Sequence, residues 1–263
     1  MYSLEHKQFL KKNKRKKIFI LISQIFILLF LIFIWEIASN NEWINSFIYS
    51  SPSKILNTII NLHNTNNLYI HIFTTVYETL ISFAIGTLIG IVIAVILWWN
   101  KTLAKILDPF LTVLNSLPKV ALGPIIIIWV GANIKSIIFM ALLISVIITI
   151  MNVYQGFIST DPIKIKLLKS FGASKFQILT KAIFPTNYSN IISMLKINIS
   201  MSLIGIIMGE FLVSKQGIGY LIMYGSQIFN LSLVMAGVIL LAIIATVMYY
   251  AVYTIEKLVI KMN

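Results

Sequence analysis

The sequence predicts an all-α fold: a polytopic membrane helical bundle of six transmembrane helices, with a long patterned loop on the cytoplasmic side. Three observations carry this. Of 263 residues, 59% are hydrophobic and 11% charged, and the mean hydropathy is +0.92, well outside the range of soluble domains. Apolar runs of about 20 residues, the length that crosses a bilayer core, recur along nearly the whole chain. The basic residues are also distributed as membrane orientation requires. No polar stretch is large enough for a second folded unit, so one membrane domain is expected.

The runs fall at 18–37, 76–99, 111–131, 135–155, 193–213 and 231–255. A basic stretch, Lys11 to Lys17, precedes the first, as it would in a secretory signal. The run is nevertheless long for a signal, ends in Trp35-Glu36 and lacks a small-x-small cleavage site. Pro118, Gly123 and Pro124 interrupt the third run, which is expected to kink or to begin as an amphipathic helix. Gly86, Gly90 and Ala94 form a small-residue stripe on the second run and Gly205 with Gly209 another on the fifth, where backbones can approach closely. Glu210 is the one carboxylate deep in a predicted span, at a cost of about 2–3 kcal/mol if unpaired near the bilayer centre. It either serves a functional site or lies near the outer interface, paired with Lys215 or capping amides of the 214–220 turn. Glu36, Glu78 and Glu256 sit at predicted span ends, within reach of water.

A net charge of +13, with 21 Lys and Arg against 8 Asp and Glu, would also suit nucleic acid. The placement of the charge argues against that partner. Seven basic residues lie in the basic tail 1–17, and most others lie in short segments between apolar runs. With the N-terminus in the cytoplasm, the inside segments are this tail, 100–110, 156–192 and the tail 256–263. They hold 16 basic residues, or 18 with Lys119 and Lys196, against Lys54, Lys135 and Lys215 outside. The expected orientation in the cell membrane is N-in and C-in. Trp98-Trp99 and Tyr249-Tyr250 then fall at cytoplasmic interfaces. The chain has no Cys, which removes disulfides, thiolate metal sites and cysteine catalysis. His6, His63 and His71 fall outside the predicted spans, and no metal site is expected from them. No HExxH or GxSxG motif supports an intramembrane enzyme. A self-powered secondary transporter would show internal repeats and midplane ionisable sites, and only Glu210 and the Pro-Gly region of span three qualify.

Between spans four and five the chain spends more residues inside than a helix connection needs. Asp161-Pro162 offers an N-cap followed by Pro at the first helical position, and Ile163, Leu167 and Phe171 recur every four residues beyond it. Gly172 interrupts this helix. Ser174 and Gln177 form a capping box for a second, whose Phe176, Leu179 and Ile183 share a face. Two short helices with Lys164, Lys166, Lys169, Lys175 and Lys181 suit membrane lipid headgroups. A helix–Gly–helix elbow equally suits a groove in a cytoplasmic partner, and periodicity does not choose.

The stretch Asp161-Pro162 through Lys169-Ser170-Phe171-Gly172-Ala173-Ser174-Lys175 to Ile183-Phe184-Pro185 resembles the EAA loop of the permeases of binding-protein-dependent ABC importers. Leu117-Pro118-Lys119-Val120-Ala121 with Pro124 and Trp129 to Gly131 resembles the third-span segment of the nitrate/sulfonate/taurine branch. Gly209-Glu210-Phe211-Leu212 with Gly217-Ile218-Gly219-Tyr220-Leu221-Ile222 resembles its fifth-span end. Ser51-Pro52-Ser53 and Leu107-Asp108-Pro109 fit as well.

The resemblance implies a permease core over 76–255 after a separate first helix, with the 156–192 loop as the coupling element. Lys166, Leu167, Leu168, Gly172, Ala173, Ser174 and Lys175 would meet a cytoplasmic ABC ATPase, present in two copies, and Gly172 would supply the turn. A second permease subunit, forming a homodimer, and an extracytoplasmic substrate-binding protein complete the implied assembly. Gly205, Gly209 and Glu210 are the translocation-path candidates. The solute would be small and polar or anionic: a sulfonate, taurine, nitrate or a thiamine precursor. No catalytic residue and no cofactor are expected in this chain, and ATP-Mg would bind the partner ATPase; no GxxxxGK(S/T) phosphate loop is present. One departure stands out. Lys166 occupies the position of the motif Glu, and Leu167-Leu168 replace the two alanines, so the charge at that contact is inverted.

Overall fold

The computed structural model describes residues 4–65 and 67–261. Its helices are α1 (Leu4–Asn40), α2 (Ser46–Tyr49), α3 (Pro52–Asn64), α4 (Asn67–Trp99), α5 (Lys101–Ser116), α6 (Gly123–Val130), α7 (Ile134–Ile158), α8 (Pro162–Ser170), α9 (Lys175–Ile178), α10 (Phe184–Val213), α11 (Ile218–Gln227) and α12 (Leu231–Lys261). Five continuous helical stretches are long and apolar enough to cross a bilayer: Phe9–Asn40, Asn67–Trp99, Ile134–Ile158, Lys175–Val213 and Leu231–Leu258.

The remaining expected span, the third in chain order, is broken. Leu117, preceding Pro118, is extended (ψ 138°), because the proline ring disfavours the α conformation in the residue before it. The chain turns by 88° between α5 and the helical segment Lys119–Val130, in which a 3-10 turn at Lys119–Leu122 leads into α6. Only Ala104 of α5 is buried. α5 therefore lies as an amphipathic helix and α6 carries the apolar remainder.

α1 runs unbroken from the basic tail into the first apolar run, and its flank from Phe19 to Phe33 is largely exposed. Its main attachments are to α2 and α3. There the Glu36 carboxylate accepts from the Ser53 N–H (3.0 Å) and hydroxyl (2.8 Å). α3, which hydropathy does not reveal, follows from Ser51-Pro52: Ser51 Oγ accepts from the Lys54 N–H, and Pro52 occupies the first turn, where its missing N–H costs nothing.

The core is built around α7. α4 and α10 both pack along it more extensively than any other pair of elements. Small residues allow this. A Cβ at Gly86 would meet the Ser145 side chain, one at Gly90 the Thr149 side chain, one at Gly205 the backbone of Ala141, and one at Gly209 the Ile137 Cα at 2.8 Å. Both small-residue stripes are thus seams against the same helix. On the far side of α10, Leu68, Ile199, Ile218, Leu221, Leu233 and Leu240 join α4, α10, α11 and α12 in a second apolar cluster.

Overpacking of a close seam costs about 1–3 kcal/mol. Gly205→Ala, which sets a methyl against backbone that cannot give, is expected to lower the Tm of the purified protein in detergent by several degrees. An unchanged melting curve would contradict the seam.

Candidate functional site

The residues singled out by sequence gather at the two ends of the rod formed by α9 and α10. At its C-terminal end Glu210, 1% exposed, holds three elements together. Its Oε1 accepts from the Thr75 hydroxyl of α4 (2.6 Å) and its Oε2 from the Gly219 N–H of α11 (2.6 Å). Thr75 Oγ1 accepts in turn from the Ile218 N–H (2.8 Å), and His71 Nδ1 accepts from the Gly217 N–H (3.0 Å). Three successive amides at the start of α11, which no helix can satisfy internally, thus end on side chains of α4 and α10. A carboxylate is also the favoured charge at a helix N-terminus. Gly217 has φ +104°, and a Cβ there would overlap the Glu210 carboxylate; a Cβ at Gly219 would lie 2.8 Å from Glu210 Cβ. The turn is glycine-bounded because the carboxylate occupies the space.

Of the two structural roles weighed for Glu210, pairing with Lys215 or capping the 214–220 turn, the cap is the one present. Among the described residues no ion pair joins it to Lys215; elsewhere, between α10 and α12, Lys196 pairs with Glu256 (2.7 Å), which also accepts from Ser193 (2.8 Å). Glu256 is therefore buried and partnered rather than water-facing. Two other expectations are corrected. His71 lies within α4, buried and stacked on Tyr220 with ring centroids 5.8 Å apart, because α4 begins at Asn67 instead of 76. For the same reason Glu78 is not at a helix end. It is 3% exposed, its Oε2 lacks a hydrogen-bond partner among the described residues, and it borders a cavity of about 510 Å³ shared with Asn133, Lys215 and Gln216. Hydropathy does not bring out Thr75, His71 and Glu78, because they make the N-terminal part of α4 polar. Their signal is the spacing: Leu68, His71, Thr75, Glu78, Thr79 and Ser82 continue the Gly86, Gly90, Ala94 face at helical periodicity.

At the other end, the elbow forms as its caps require. Asp161 accepts from the Ile163 N–H (2.8 Å) and starts α8. Gly172 takes φ +75°, and a Cβ there would meet no other atom within 4 Å, so its role is the left-handed turn itself. Ser174 and Gln177 form the reciprocal capping box, with Ser174 N–H donating to Gln177 Oε1 (2.7 Å). The second helix is not separate, however. α9 passes through a π turn at Leu179–Ile183 directly into α10, and Pro185 does not stop it. The wider turn accommodates a proline that lacks an N–H and would crowd the preceding carbonyls. The face is correspondingly re-sorted: Ile178, Leu179 and Ile183 are buried with Val153 and Phe157, whereas Phe176 is exposed.

The elbow has two sides. Ile163 (72% exposed), Lys166, Leu167 and Phe171 (77% exposed) point away from the bundle. Leu168 and Ala173 pack against the buried cluster of Val153 and Phe157, and Lys175 donates to the Trp99 carbonyl. Gly205 and Gly209 sit in the seam with α7.

The chain is thus a bundle of helices long and apolar enough to cross a membrane, carrying one helical elbow with an exposed apolar stripe. Residues 86–261 match the family model described as binding-protein-dependent transport system inner membrane component, and the chain belongs to that family: it is a permease subunit of an ABC importer. It is 24% identical over 231 residues to a Bacillus subtilis (strain 168) protein named as an aliphatic sulfonates transport permease, SsuC, covering 88% of this chain and 84% of that one. It is 25% identical over 232 residues to the formylaminopyrimidine transport permease protein ThiX of Halalkalibacterium halodurans, covering 88% of this chain and 92% of that one. Its fold is shared by a chain of the MetNI methionine ABC transporter in inward-facing conformations, with a TM-score of 0.66 at 18% identity, over 74% of this chain and 97% of that one.

The carboxylate clamp is expected to be cooperative. Glu210→Gln sets a donor against either Thr75 or Gly219, and Thr75→Val orphans the Ile218 amide; each should cost about 1–3 kcal/mol. The double variant should cost less than the sum, as measured by thermal unfolding in detergent.

Proposed function

We propose that this subunit carries a small polar or anionic solute inward across the cell membrane, powered by a separate ATPase that engages the α8–α9 elbow. The observation that carries the reading is the sidedness of the elbow. Ile163, Leu167 and Phe171 form an apolar stripe turned away from their own bundle, which is what a groove in a partner accepts. Leu168, Ala173 and Lys175 tie the same elbow to α4, α7 and α10, so a push on it reaches the core. Two ATPase copies holding ATP-Mg, a second copy of the permease and an extracytoplasmic binding protein complete the assembly. Closure of the ATPases moves the two permeases as rigid bodies.

In this reading Lys166, exposed beside the stripe, faces an acidic group on the cognate ATPase, because a like charge across a close contact would repel. Gly205 and Gly209 set the path by fixing the spacing of α7 and α10, and Glu210 by fixing the outer turn. Support for a small polar or anionic solute comes from two relatives, one named for aliphatic sulfonates and one for formylaminopyrimidine. The domain division is a basic tail over 1–17, a separate first helix and a permease core over 76–255, with both termini cytoplasmic.

Purified chain in liposomes should transport only with the ATPase and ATP added; transport without them would make it a secondary transporter. Phe171→Ala and Lys166→Glu should each reduce recovery of the ATPase with the permease about tenfold, as loss of a central anchor does, and unchanged recovery would move the docking site elsewhere. Since the chain has no Cys, orientation is directly testable. Single cysteines at Lys14 and Lys166 should resist impermeant thiol reagents applied to whole cells, and ones at Lys54 and Lys215 should react.

A further inference from the structure

We propose that the inner side of the elbow is a binding site for an anionic phospholipid. A cavity of about 630 Å³ lies between the ends of α4 and α7, the start of α5 and the elbow. Four lysines border it from three separate elements: Lys101 and Lys105 on α5, Lys169 on α8 and Lys175 on α9. No carboxylate lines it, and among the described residues none of the four lysines is within ion-pair distance of one. Four exposed lysines bordering one cavity with no lining carboxylate give it a basic rim, and such a rim attracts an anion.

The floor is different in kind. The buried Phe157 and Ile178 close the bottom of the cavity, and Trp98, at the level where amphipathic rings mark the bilayer boundary, forms part of its wall. A basic rim over an apolar floor at this depth fits a phosphate head with its acyl chain rather than a free anion or an acidic peptide. The Lys175 ammonium sits 5.3 Å over the Trp99 ring and donates to the Trp99 carbonyl, leaving further N–H groups to donate. The site is also distinct from the docking stripe: Ile163, Leu167 and Phe171 border none of it. A lipid seated here wedges the elbow against α4 and α5, and so sets how firmly a push on the elbow reaches the bundle. The leaflet, cytoplasmic, rests on the orientation proposed above; the lipid site itself does not.

The test is native mass spectrometry of the full chain released from nanodiscs of equal phosphatidylglycerol and phosphatidylcholine. The wild type should retain phosphatidylglycerol in preference, and Lys101→Gln/Lys105→Gln, on exposed positions outside the elbow, should reduce that preference about tenfold or more. Lys169→Gln should reduce it as well, which guards against a local folding defect on α5. Lys164→Gln/Lys166→Gln, whose lysines do not border the cavity, should leave it unchanged. Equal retention of the two lipids by the wild type, an equal loss in the Lys164/Lys166 variant, or displacement of the lipid by millimolar inorganic phosphate would each overturn the assignment.

Discussion

Everything in this subunit depends on how closely α4 and α10 approach α7. In a bilayer the lipid tails are as apolar as the side chains, so burial alone does not drive helices together; packing and interhelical hydrogen bonds must. The chain meets this with glycine at four positions facing one helix. Gly86 and Gly90 seat α4 against Ser145 and Thr149, while Gly205 and Gly209 seat α10 against Ala141 and Ile137. Polar residues take part as well. Thr149 and Thr79 hydroxyls return to their own helix carbonyls, and Asn198 of α10 donates to Thr87 of α4 at 2.5 Å. α11, α12, the broken α5–α6 pair and α1 are arranged around this three-helix centre.

The rod made of α9 and α10 links the two ends of the molecule. At one end its Glu210 carboxylate gathers the first amides of α11 and the Thr75 hydroxyl of α4, so the turn that follows is part of the core rather than a loose loop. At the other end the elbow is its direct extension through a π turn, with no flexible joint between elbow and span. Such continuity has a mechanical consequence: a rigid element carries displacement where a linker would absorb it. Behind the elbow lies the cavity bordered by Lys101, Lys105, Lys169 and Lys175.

Much of this was legible in the chain itself, and the limits were physical. Apolar runs located the spans, since length and hydropathy suffice to find a helix that must satisfy its backbone in lipid. Boundaries failed where the helix continued beyond the apolar run. His71, Thr75 and Glu78 belong to α4 because they face α10 and α11, and a hydropathy profile cannot distinguish polar groups facing protein from polar groups facing water. The elbow was legible almost residue by residue, because Asp161, Gly172 and the Ser174–Gln177 pair act through local backbone hydrogen bonds. Its union with α10 was not, because Pro185 ordinarily ends a helix and only a change of turn width permits continuation.

By itself the sequence determined membrane residence, the order of the apolar elements, an interruption of the third by Pro118, Gly123 and Pro124, and the caps of the elbow, all of which follow from local propensity and solvent. Only the tertiary structure decided that both glycine stripes serve α7 and that Glu210 caps α11 rather than pairing with Lys215. It likewise decided which side of the elbow faces outward and that four lysines from three elements border one cavity. Those outcomes depend on distances between residues far apart in the chain, and helical periodicity specifies a face without specifying what that face meets.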